Sequence, residues 1–272
     1  MARPHIEFVQ SQALPWREEA LPALRPGVAA KTLSADEETG ACSLLLRIPA
    51  GFALAAPQAL DADEEVLVLD GDITLNGTRF GPYGYAHLPA GFRRETLASD
   101  GGAVLLAFFS NAPHAAPEAP FDQARLVTIP DALTVPYTGN FHPEFPPGAG
   151  RKLLFTDPRT GDQSWILGTL GLRWAERSEV HPVVEEMYLL AGEVHGDRGV
   201  MRPGAYFWRP PQVAHGPYGS LTGNIYFFRT RGGPLSTAYV EAKRPFRWWP
   251  EHDPILPPGL PADAAPPAPR PW

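Results

Sequence analysis

The fold is decided by one stretch in the second half of the chain, Glu179-Val-His181-Pro-Val-Val-Glu185-Glu-Met-Tyr-Leu-Leu-Ala-Gly192. Its last eight residues have a counterpart 121 positions earlier, Glu64-Glu-Val-Leu-Val-Leu-Asp-Gly71. In both places an acidic pair opens an apolar run that ends in glycine, which is the pattern of a buried strand entering a turn. A tandem repeat of one domain would extend this spacing to other parts of the chain.

A second pair of segments has the same spacing. Lys31-Thr-Leu-Ser-Ala-Asp36-Glu-Glu-Thr39-Gly40 recurs, with substitutions, as Lys152-Leu-Leu-Phe-Thr-Asp157-Pro-Arg-Thr160-Gly161. Because both pairs of segments are separated by the same 121 residues, the sequence predicts two copies of one domain. We place the first domain at residues 1–120 and the second at 121–249, followed by a proline-rich extended tail at 250–272.

The composition favours short strands over helices. Of 272 residues, 33 are proline and 26 are glycine, and proline interrupts helices and central strands. The runs Ala103 to Phe109 and Asn224 to Arg229 predict late buried strands, and Ile73 to Leu75 followed by Asn76-Gly77 predicts a strand and a tight hairpin. We expect an all-β fold in which the strands of each domain close a barrel or jelly roll.

Charge and targeting signals narrow the class of partner. A formal net charge of -7 offers no basic face for nucleic acid, so we expect a small-molecule substrate instead. The N-terminus lacks an apolar signal-peptide core and the apolar runs are too short to span a bilayer. The lone cysteine, Cys42, gives no disulfide that would indicate an oxidising compartment. The sequence therefore predicts a cytoplasmic protein without membrane association.

Potential metal ligands are concentrated in the second copy. Glu179 and His181 share a strand face because side chains alternate with period two, and Glu185 can return from the next strand. Farther on, a strand and turn end at His215. Two imidazoles and a carboxylate that converge inside a barrel would form a facial site with open positions for substrate, water or oxygen. Taken singly, the acidic pair is typical of a solvated strand start and a histidine after Pro-Pro is typical of a turn.

Both stretches resemble the paired motifs of the cupin superfamily, G-x5-H-x-H-x3,4-E-x6-G and G-x5-P-x-G-x2-H-x3-N. The matching positions are His181, Glu185, Gly192, Gly204, Pro210 and His215. The resemblance is to two-domain cupins (RmlC-like bicupins) and covers the chain apart from the tail. It implies two tandem double-stranded β-helix (jelly-roll) barrels, with one divalent metal ion held by His181, Glu185 and His215 in the C-terminal barrel. It also implies a homodimer, because cupins commonly pair through their barrels.

The motif departs from the family at Glu179, which stands where the first family histidine would be. Glu179 is either a fourth, carboxylate ligand or the acceptor of an N–H from a ligand histidine. The first copy departs further, because Gln58 and Leu60 stand at the histidine positions while Glu64 remains. With a gap of one residue Arg93 falls opposite the second-motif histidine. We expect an ion pair between Glu64 and Arg93, and no metal in the N-terminal domain.

Residues around the site predict an apolar pocket. Met187 shares the inward face with Glu185, and Tyr206 and Trp208 on a neighbouring strand could line a pocket for an apolar or aromatic substrate, or simply fill a core. An arginine could anchor a carboxylate or enolate, and the sequence does not choose among Arg173, Arg177 and Arg209. The other histidines are predicted to lie on the surface or in loops: His5, His114, His142, His195 and His252.

The resemblance extends to the acetylacetone-cleaving and dihydroxyacetophenone-cleaving dioxygenases. It implies an oxidoreductase that uses Fe(II), with Zn, Mn or Ni as alternatives, for oxidative C–C cleavage of a diketone or hydroxyketone. Two other readings stay open: a non-catalytic zinc- or metabolite-binding cupin, as in anti-sigma factors, and a metal-dependent lyase, hydrolase or isomerase.

Overall fold

The computed structural model describes residues 3–21, 23–139 and 147–260. Almost all of the regular secondary structure there is strand, which confirms the all-β prediction. The helical segments of these residues are short 3-10 turns at Ser11–Ala13, Gln123–Arg125 and Ala132–Thr134. No helix in the described ranges is long and apolar enough to cross a membrane.

The strands are short, as frequent turns require. Those of the first half are β1 (Ile6–Gln10), β2 (Ala29–Ala35), β3 (Cys42–Ile48), β4 (Phe52–Ala53), β5 (Ala59–Leu60), β6 (Glu64–Gly71), β7 (Ile73–Leu75), β8 (Thr78–Phe80), β9 (Tyr85–Leu88), β10 (Leu97–Ser99), β11 (Ala103–Phe109), β12 (Ala115–Ala116) and β13 (Val127–Ile129). Those of the second half are β14 (Ala149–Thr156), β15 (Gln163–Thr169), β16 (Arg173–Trp174), β17 (Arg177–Val180), β18 (Val184–Gly192), β19 (Val194–Gly196), β20 (Gly199–Met201), β21 (Ala205–Arg209), β22 (Gly219–Ser220), β23 (Asn224–Arg231) and β24 (Ala238–Glu241).

The described chain separates into two compact units. Among the described residues, the first unit takes in 3–4, 14–21 and 23–135, and the second takes in 5–13, 136–139 and 147–260. Residues 5–13 fall within the predicted first domain but belong to the second unit. Residues 121–135 fall within the predicted second domain but belong to the first unit.

The sheets of the two units follow one plan. The first unit has a six-stranded sheet in the order β13-β9-β6-β11-β3-β2 and a four-stranded sheet in the order β4-β10-β7-β8. The second unit has the orders β1-β21-β18-β23-β15-β14 and β16-β22-β19-β20. Each strand of these four sheets overlaps its counterpart at the shift of 121, including β1 and β13 at the sheet edges. Strand β1, near the start of the chain, is therefore an edge strand of the second unit, and β13, at the start of the second repeat, is an edge strand of the first unit.

A core fills the space between the two sheets of each unit. In the first unit the cluster joins residues of the larger sheet, such as Leu46 and Val68, to residues of the smaller one, such as Ile73 and Leu97. In the second unit Phe8 on β1 joins a corresponding cluster. Apolar faces of short antiparallel strands are buried in this way when two sheets pack as a jelly roll.

The glycine that ends each quoted strand is required by close backbone approach. Gly192 has a φ of +83°, and a Cβ there would lie 1.9 Å from the carbonyl oxygen of Gly223. Gly71 has a φ of +69°, and its Cβ would lie 2.1 Å from the carbonyl oxygen of Gly102. Only glycine avoids both the clash and the left-handed backbone penalty.

Several local predictions are confirmed. The β7–β8 hairpin turns at Asn76 and Gly77, whose φ values of 47° and 81° fit a type I′ turn. Strand β11 has the predicted bounds, and β23 runs two residues beyond its predicted end. In the tail, Ile255 pairs with Glu7 on β1, whereas residues 261–272 lie outside the described residues.

Candidate metal centre

Three segments of the second unit bring the predicted ligands together. Glu179 lies on β17, His181 follows that strand directly, and Glu185 is the second residue of β18. His215 is held opposite Glu179 by two backbone hydrogen bonds, of 2.9 Å and 3.1 Å, that form an isolated bridge. Glu179 and His181 therefore come together because they are two positions apart in an extended segment, and His215 joins them through the backbone bridge to Glu179.

The ligand atoms face one another at distances longer than hydrogen bonds. Nε2 of His181 lies 3.8 Å from a carboxylate oxygen of Glu179 and 3.7 Å from one of Glu185. Nε2 of His215 lies 3.6 Å from the same oxygen of Glu185. Potential ligand atoms of Glu179, His181 and His215 all lie within 4.8 Å of one another. Ligands bound about 2.0–2.2 Å from one ion are separated by about 3–4 Å, so the spacing fits a shared cation.

Both imidazoles turn Nε2 toward this cluster. Nδ1 of His181 lies 2.9 Å from the carbonyl oxygen of Ser236, and Nδ1 of His215 lies 2.9 Å from that of Val213. A carbonyl accepts only from a protonated nitrogen, so in a neutral ring at either position Nε2 is the unprotonated atom. Nε2 of His181 is buried and has no hydrogen-bond partner among the described residues. A buried nitrogen of this kind is costly unless a cation or water occupies the space it faces.

Burial sets the protonation of the neighbouring groups. Burial lowers the pKa of His215 well below its ordinary value, and the charge of Arg209 lowers it further, so the ring is neutral and able to bind a cation. Burial raises the pKa of the Glu179 carboxyl to about 7; the charge of Glu185 adds to the rise, and the charges of Arg209 and Arg173 oppose it. The carboxyl of Glu179 can therefore hold or release a proton near neutral pH.

Glu185 also binds the guanidinium of Arg209, a contact that the sequence did not predict. Nη1 of Arg209 donates to Oε2 of Glu185, the oxygen that faces both histidines. Nε and Nη2 of Arg209 donate to Glu7 on β1, at 2.7 Å and 2.5 Å, and Nη2 also donates to the hydroxyl of Tyr218 at 2.9 Å. Glu7 lies in an apolar run of the sequence and nothing there marks it as part of the site. The pairing of β1 with β21 brings it in.

A cavity of about 100 Å³ adjoins the cluster. Its wall includes Glu179, Glu185 and His215 together with predominantly apolar and aromatic side chains. Met187 is in the wall, as we expected, but Tyr206 and Trp208 are not. Met187 pairs with Phe207, while Tyr206 and Trp208 pair with Tyr188 and Glu186. Because alternate residues of a strand share a face, Phe207 and Arg209 line the cavity, whereas Tyr206 and Trp208 do not.

In the first unit, the place equivalent to the metal cluster holds charged groups of both signs. The predicted ion pair between Glu64 and Arg93 is wrong by one residue. Gln58 and Arg94 form the same backbone bridge as Glu179 and His215, so Arg94 matches the histidine with no gap. Nη2 of Arg94 lies 2.6 Å from Glu64. The side chain of Arg93 points to the exposed carboxylates of Glu95 and Glu118 instead. Adjacent residues of an extended segment face opposite ways.

A second arginine completes this first-unit cluster. Nη2 of Arg25 lies 2.6 Å from Glu64, and all three side chains are buried. Burial by itself raises the pKa of Glu64, but the charges of Arg25 and Arg94 outweigh it and hold the pKa below its ordinary value. A divalent cation at this place would meet two guanidinium charges.

One histidine predicted for the surface is buried. His195 on β19 is 7% exposed, and its Nδ1 lies 2.6 Å from the carbonyl oxygen of Trp248. His114 is exposed beside Asp61, as predicted. His142 lies outside the described residues.

Comparisons with known proteins agree with this fold. Residues 9–236 match a family model described as a domain of unknown function, DUF4437. No curated protein matches the chain. The solved structures that resemble it are cupin-fold proteins, so the chain has the cupin fold.

Three of these structures span most of the chain. A candidate dioxygenase of Nostoc punctiforme has a TM-score of 0.77 at 19% identity and covers 89% of this chain and 92% of its own. A candidate glyoxylate-induced protein of Pseudomonas aeruginosa has a TM-score of 0.61 at 13% identity, covering 91% and 94%. Oxalate decarboxylase of Bacillus subtilis, a protein with Mn(II) centres, has a TM-score of 0.54 at 12% identity, covering 86% and 79%.

Proposed function

The chain belongs to the DUF4437 family, and we propose that it is a mononuclear metal-dependent enzyme that acts on a small organic substrate in the cavity of the second unit. One observation carries the proposal. Nε2 of His181 is buried without a partner among the described residues and faces His215 and two carboxylates. That donor set suits a divalent transition metal.

His181, His215 and Glu179 are the residues that would hold the ion, with Glu185 as a further carboxylate beside it. Arg209 already binds Glu185, which favours Glu179 as the principal carboxylate ligand. Two imidazoles and one carboxylate form the donor set typical of non-haem Fe(II) oxygenases, so iron is the first candidate, with Zn, Mn and Ni as alternatives. When bound, such an ion supplies a Lewis acid with open positions at which a bidentate substrate and oxygen can meet.

The protein's own residues provide three further conditions for chemistry. The side chains of Met187 and Phe207 give the cavity an apolar side that disfavours water. The backbone carbonyls of Ser236 and Val213 fix the orientation of both imidazoles. Burial raises the pKa of the Glu179 carboxyl to about 7, so an ion that binds this carboxylate would displace its proton, and neutral to basic pH would favour the loaded site.

The reaction that we propose is dioxygenase-type C–C cleavage of a diketone or hydroxyketone. The donor set and the structural likeness to a candidate dioxygenase support it. The likeness to oxalate decarboxylase supports a lyase as the alternative, in which the metal acts without oxygen. These reactions differ in oxygen consumption, which makes them separable by experiment.

The test is metal analysis of the purified protein after growth with Fe, Mn, Ni and Zn, alongside His181→Ala and His215→Ala. Wild type should carry one ion per chain and each variant should lose it. His114→Ala, at an exposed histidine of the first unit, is the matched control and should keep the ion. Only trace metal in wild type would overturn the proposal.

Oxygen uptake with the iron-loaded protein and β-diketones then distinguishes the reactions. Substrate-dependent uptake supports the dioxygenase, and turnover without oxygen supports the lyase or another Lewis-acid reaction. Tight zinc binding with no turnover of any compound would indicate a binding protein and contradict the enzymatic assignment.

A further inference from the structure

Glu185 lies beside the candidate metal centre, but the oxygen that it turns toward the histidines already accepts a hydrogen bond. Nε2 of His181 and Nε2 of His215 lie 3.7 Å and 3.6 Å from Oε2 of Glu185. Nη1 of Arg209 donates to that same oxygen. An ion bound by both histidines and by Oε2 would share the oxygen with a guanidinium, and two cations at this separation repel each other. Arg209 therefore competes with the ion for Glu185.

The guanidinium of Arg209 is fixed on its other sides. The residue is 1% exposed, and its Nε and Nη2 donate to the two carboxylate oxygens of Glu7, at 2.7 Å and 2.5 Å. Nη2 also donates to the hydroxyl of Tyr218 at 2.9 Å, and the guanidinium carbon lies 4.0 Å from the ring centroid of Phe207. Paired donors on a carboxylate fix the plane of a guanidinium. Arg209 thus stays directed at Glu185.

The pair formed by Glu7 and Arg209 has no charged counterpart in the first unit. At the shift of 121 residues the equivalent positions are Thr128 and Leu88, on strands that pair in the same register. Uncharged side chains therefore serve the fold at these positions. A buried ion pair seldom stabilises a fold more than apolar residues of similar size would. The pair in the second unit therefore points to a role at the neighbouring ligands.

The glutamate that opens the repeated strand binds arginine in both units. Glu64, which stands 121 positions before Glu185, accepts from Arg25 and Arg94 at 2.7 Å and 2.6 Å. The two units reach the same pairing through arginines at different positions of the repeat. The shared role of this glutamate is thus to neutralise an arginine. Glu179, which clusters with both histidines, is then the carboxylate available to an ion.

We propose that Arg209, held by Glu7, is a positioning residue that keeps Glu185 from binding the ion. The protein then supplies three ligands: Glu179, His181 and His215. An ion with six positions keeps three of them for substrate or water, as in other sites of two histidines and one carboxylate. The inference rests on the proposed function, because it concerns the ion of the same centre. It assigns the number of protein ligands to a contact made by the N-terminal strand β1.

The first test counts the water molecules bound to Mn(II) in the full chain by water-proton relaxation. Arg209→Gln should bind one water fewer than wild type, because the released Glu185 takes one position on the ion. Adding Glu185→Gln to that variant should restore the wild-type number. Glu185→Gln alone should leave the number unchanged, since Arg209 already withholds this side chain.

The second test compares the two carboxylates by zinc affinity, measured in competition with a chromophoric chelator. Loss of an outer partner of a metal site weakens binding by about 10–100-fold. Glu185→Gln should weaken zinc binding by no more than this. Glu179→Gln removes a ligand and should weaken it by more.

Glu7→Gln is the matched control for loss of stability. It disrupts the same buried pair as Arg209→Gln, but it leaves Nη1 of Arg209 on Glu185 and should keep the wild-type number of water molecules. A role of Arg209 in folding alone would change both variants alike. Should Arg209→Gln unfold, the double variant Glu7→Gln/Arg209→Gln, which removes both charges of the pair, is expected to show the same loss of one water.

The outcomes separate this inference from the proposed function. Equal numbers of bound water in wild type and in the variants that lack Arg209 would overturn the inference and leave the metal centre standing. A loss of zinc affinity in Glu185→Gln as large as in Glu179→Gln would do the same. Wild type that binds neither Mn(II) nor zinc would refute the metal centre, and the inference with it.

Discussion

Replacing Glu7 by glutamine should destabilise the second unit, although this residue comes from the N-terminal end of the chain. Glu7 is 4% exposed and accepts two hydrogen bonds from Arg209, at 2.7 Å and 2.5 Å. Burial by itself raises the pKa of Glu7, but the charge and hydrogen bonds of Arg209 outweigh it and hold the pKa well below its ordinary value. The variant keeps the shape of the side chain and removes its charge.

The expected loss follows from the geometry of the pair. Two unit charges about 4 Å apart interact by about 4 kcal/mol at an effective dielectric constant of about 20. Removing one partner of a buried pair costs about 3–5 kcal/mol, because the other charge stays buried. Glu185 still neutralises part of the Arg209 charge. We therefore expect Glu7→Gln to lower the free energy of unfolding by about 3 kcal/mol, near the lower end of that range.

Urea denaturation followed by tryptophan fluorescence is the assay, since every tryptophan except Trp16 follows residue 135 in the sequence. Glu193→Gln is the matched control: it breaks an ion pair with Arg202 whose side chains are 39% and 48% exposed, and such pairs contribute about 0–1 kcal/mol. A loss in Glu7→Gln no larger than in this control would refute the assignment of Glu7 to a buried pair.

The same variant has a predictable pH dependence. A carboxylate whose folded pKa is depressed stabilises the fold fully above its unfolded pKa, about 4.3, and the contribution is lost as pH falls toward the folded value. The difference between wild type and Glu7→Gln should therefore be constant near neutral pH and shrink below about pH 4. A difference that grows on acidification would contradict this sign.

Three other outcomes are expected. Gly192→Ala should lower the unfolding temperature of the second unit far more than Gly232→Ala. Both glycines have a positive φ, but only at Gly192 would an added Cβ clash with the backbone. Equal shifts in unfolding temperature would contradict the close backbone approach at Gly192. Arg94→His should create no metal binding in the first unit by metal analysis, since leucine still stands where a ligand would be needed, and a bound ion there would refute this. Glu64→Gln should lower the free energy of unfolding of the first unit by about 3–5 kcal/mol in calorimetry, and a change within error would show that its two arginines do not depend on it.

Local signals in the sequence indicated the strand content, the repeat and the residues of the candidate metal cluster. The bounds of β11, the hairpin at Asn76-Gly77 and the glycine at the end of each quoted strand depend on nearest neighbours and turn chemistry. The spacing of 121 residues returns in the sheet order of both units. His181 and His215 were found because a spaced motif marks them.

The tertiary structure alone decided which side chains meet. A shift of one residue reverses the face of an extended segment, so Arg94 and not Arg93 reaches Glu64, and Phe207 and not Tyr206 lines the cavity. Glu7 meets Arg209 through the pairing of two strands about 200 positions apart in sequence, a contact that hydrogen-bond register makes and local sequence cannot encode. Sequence periodicity specifies strands; pairing between distant strands specifies the charges that surround the site.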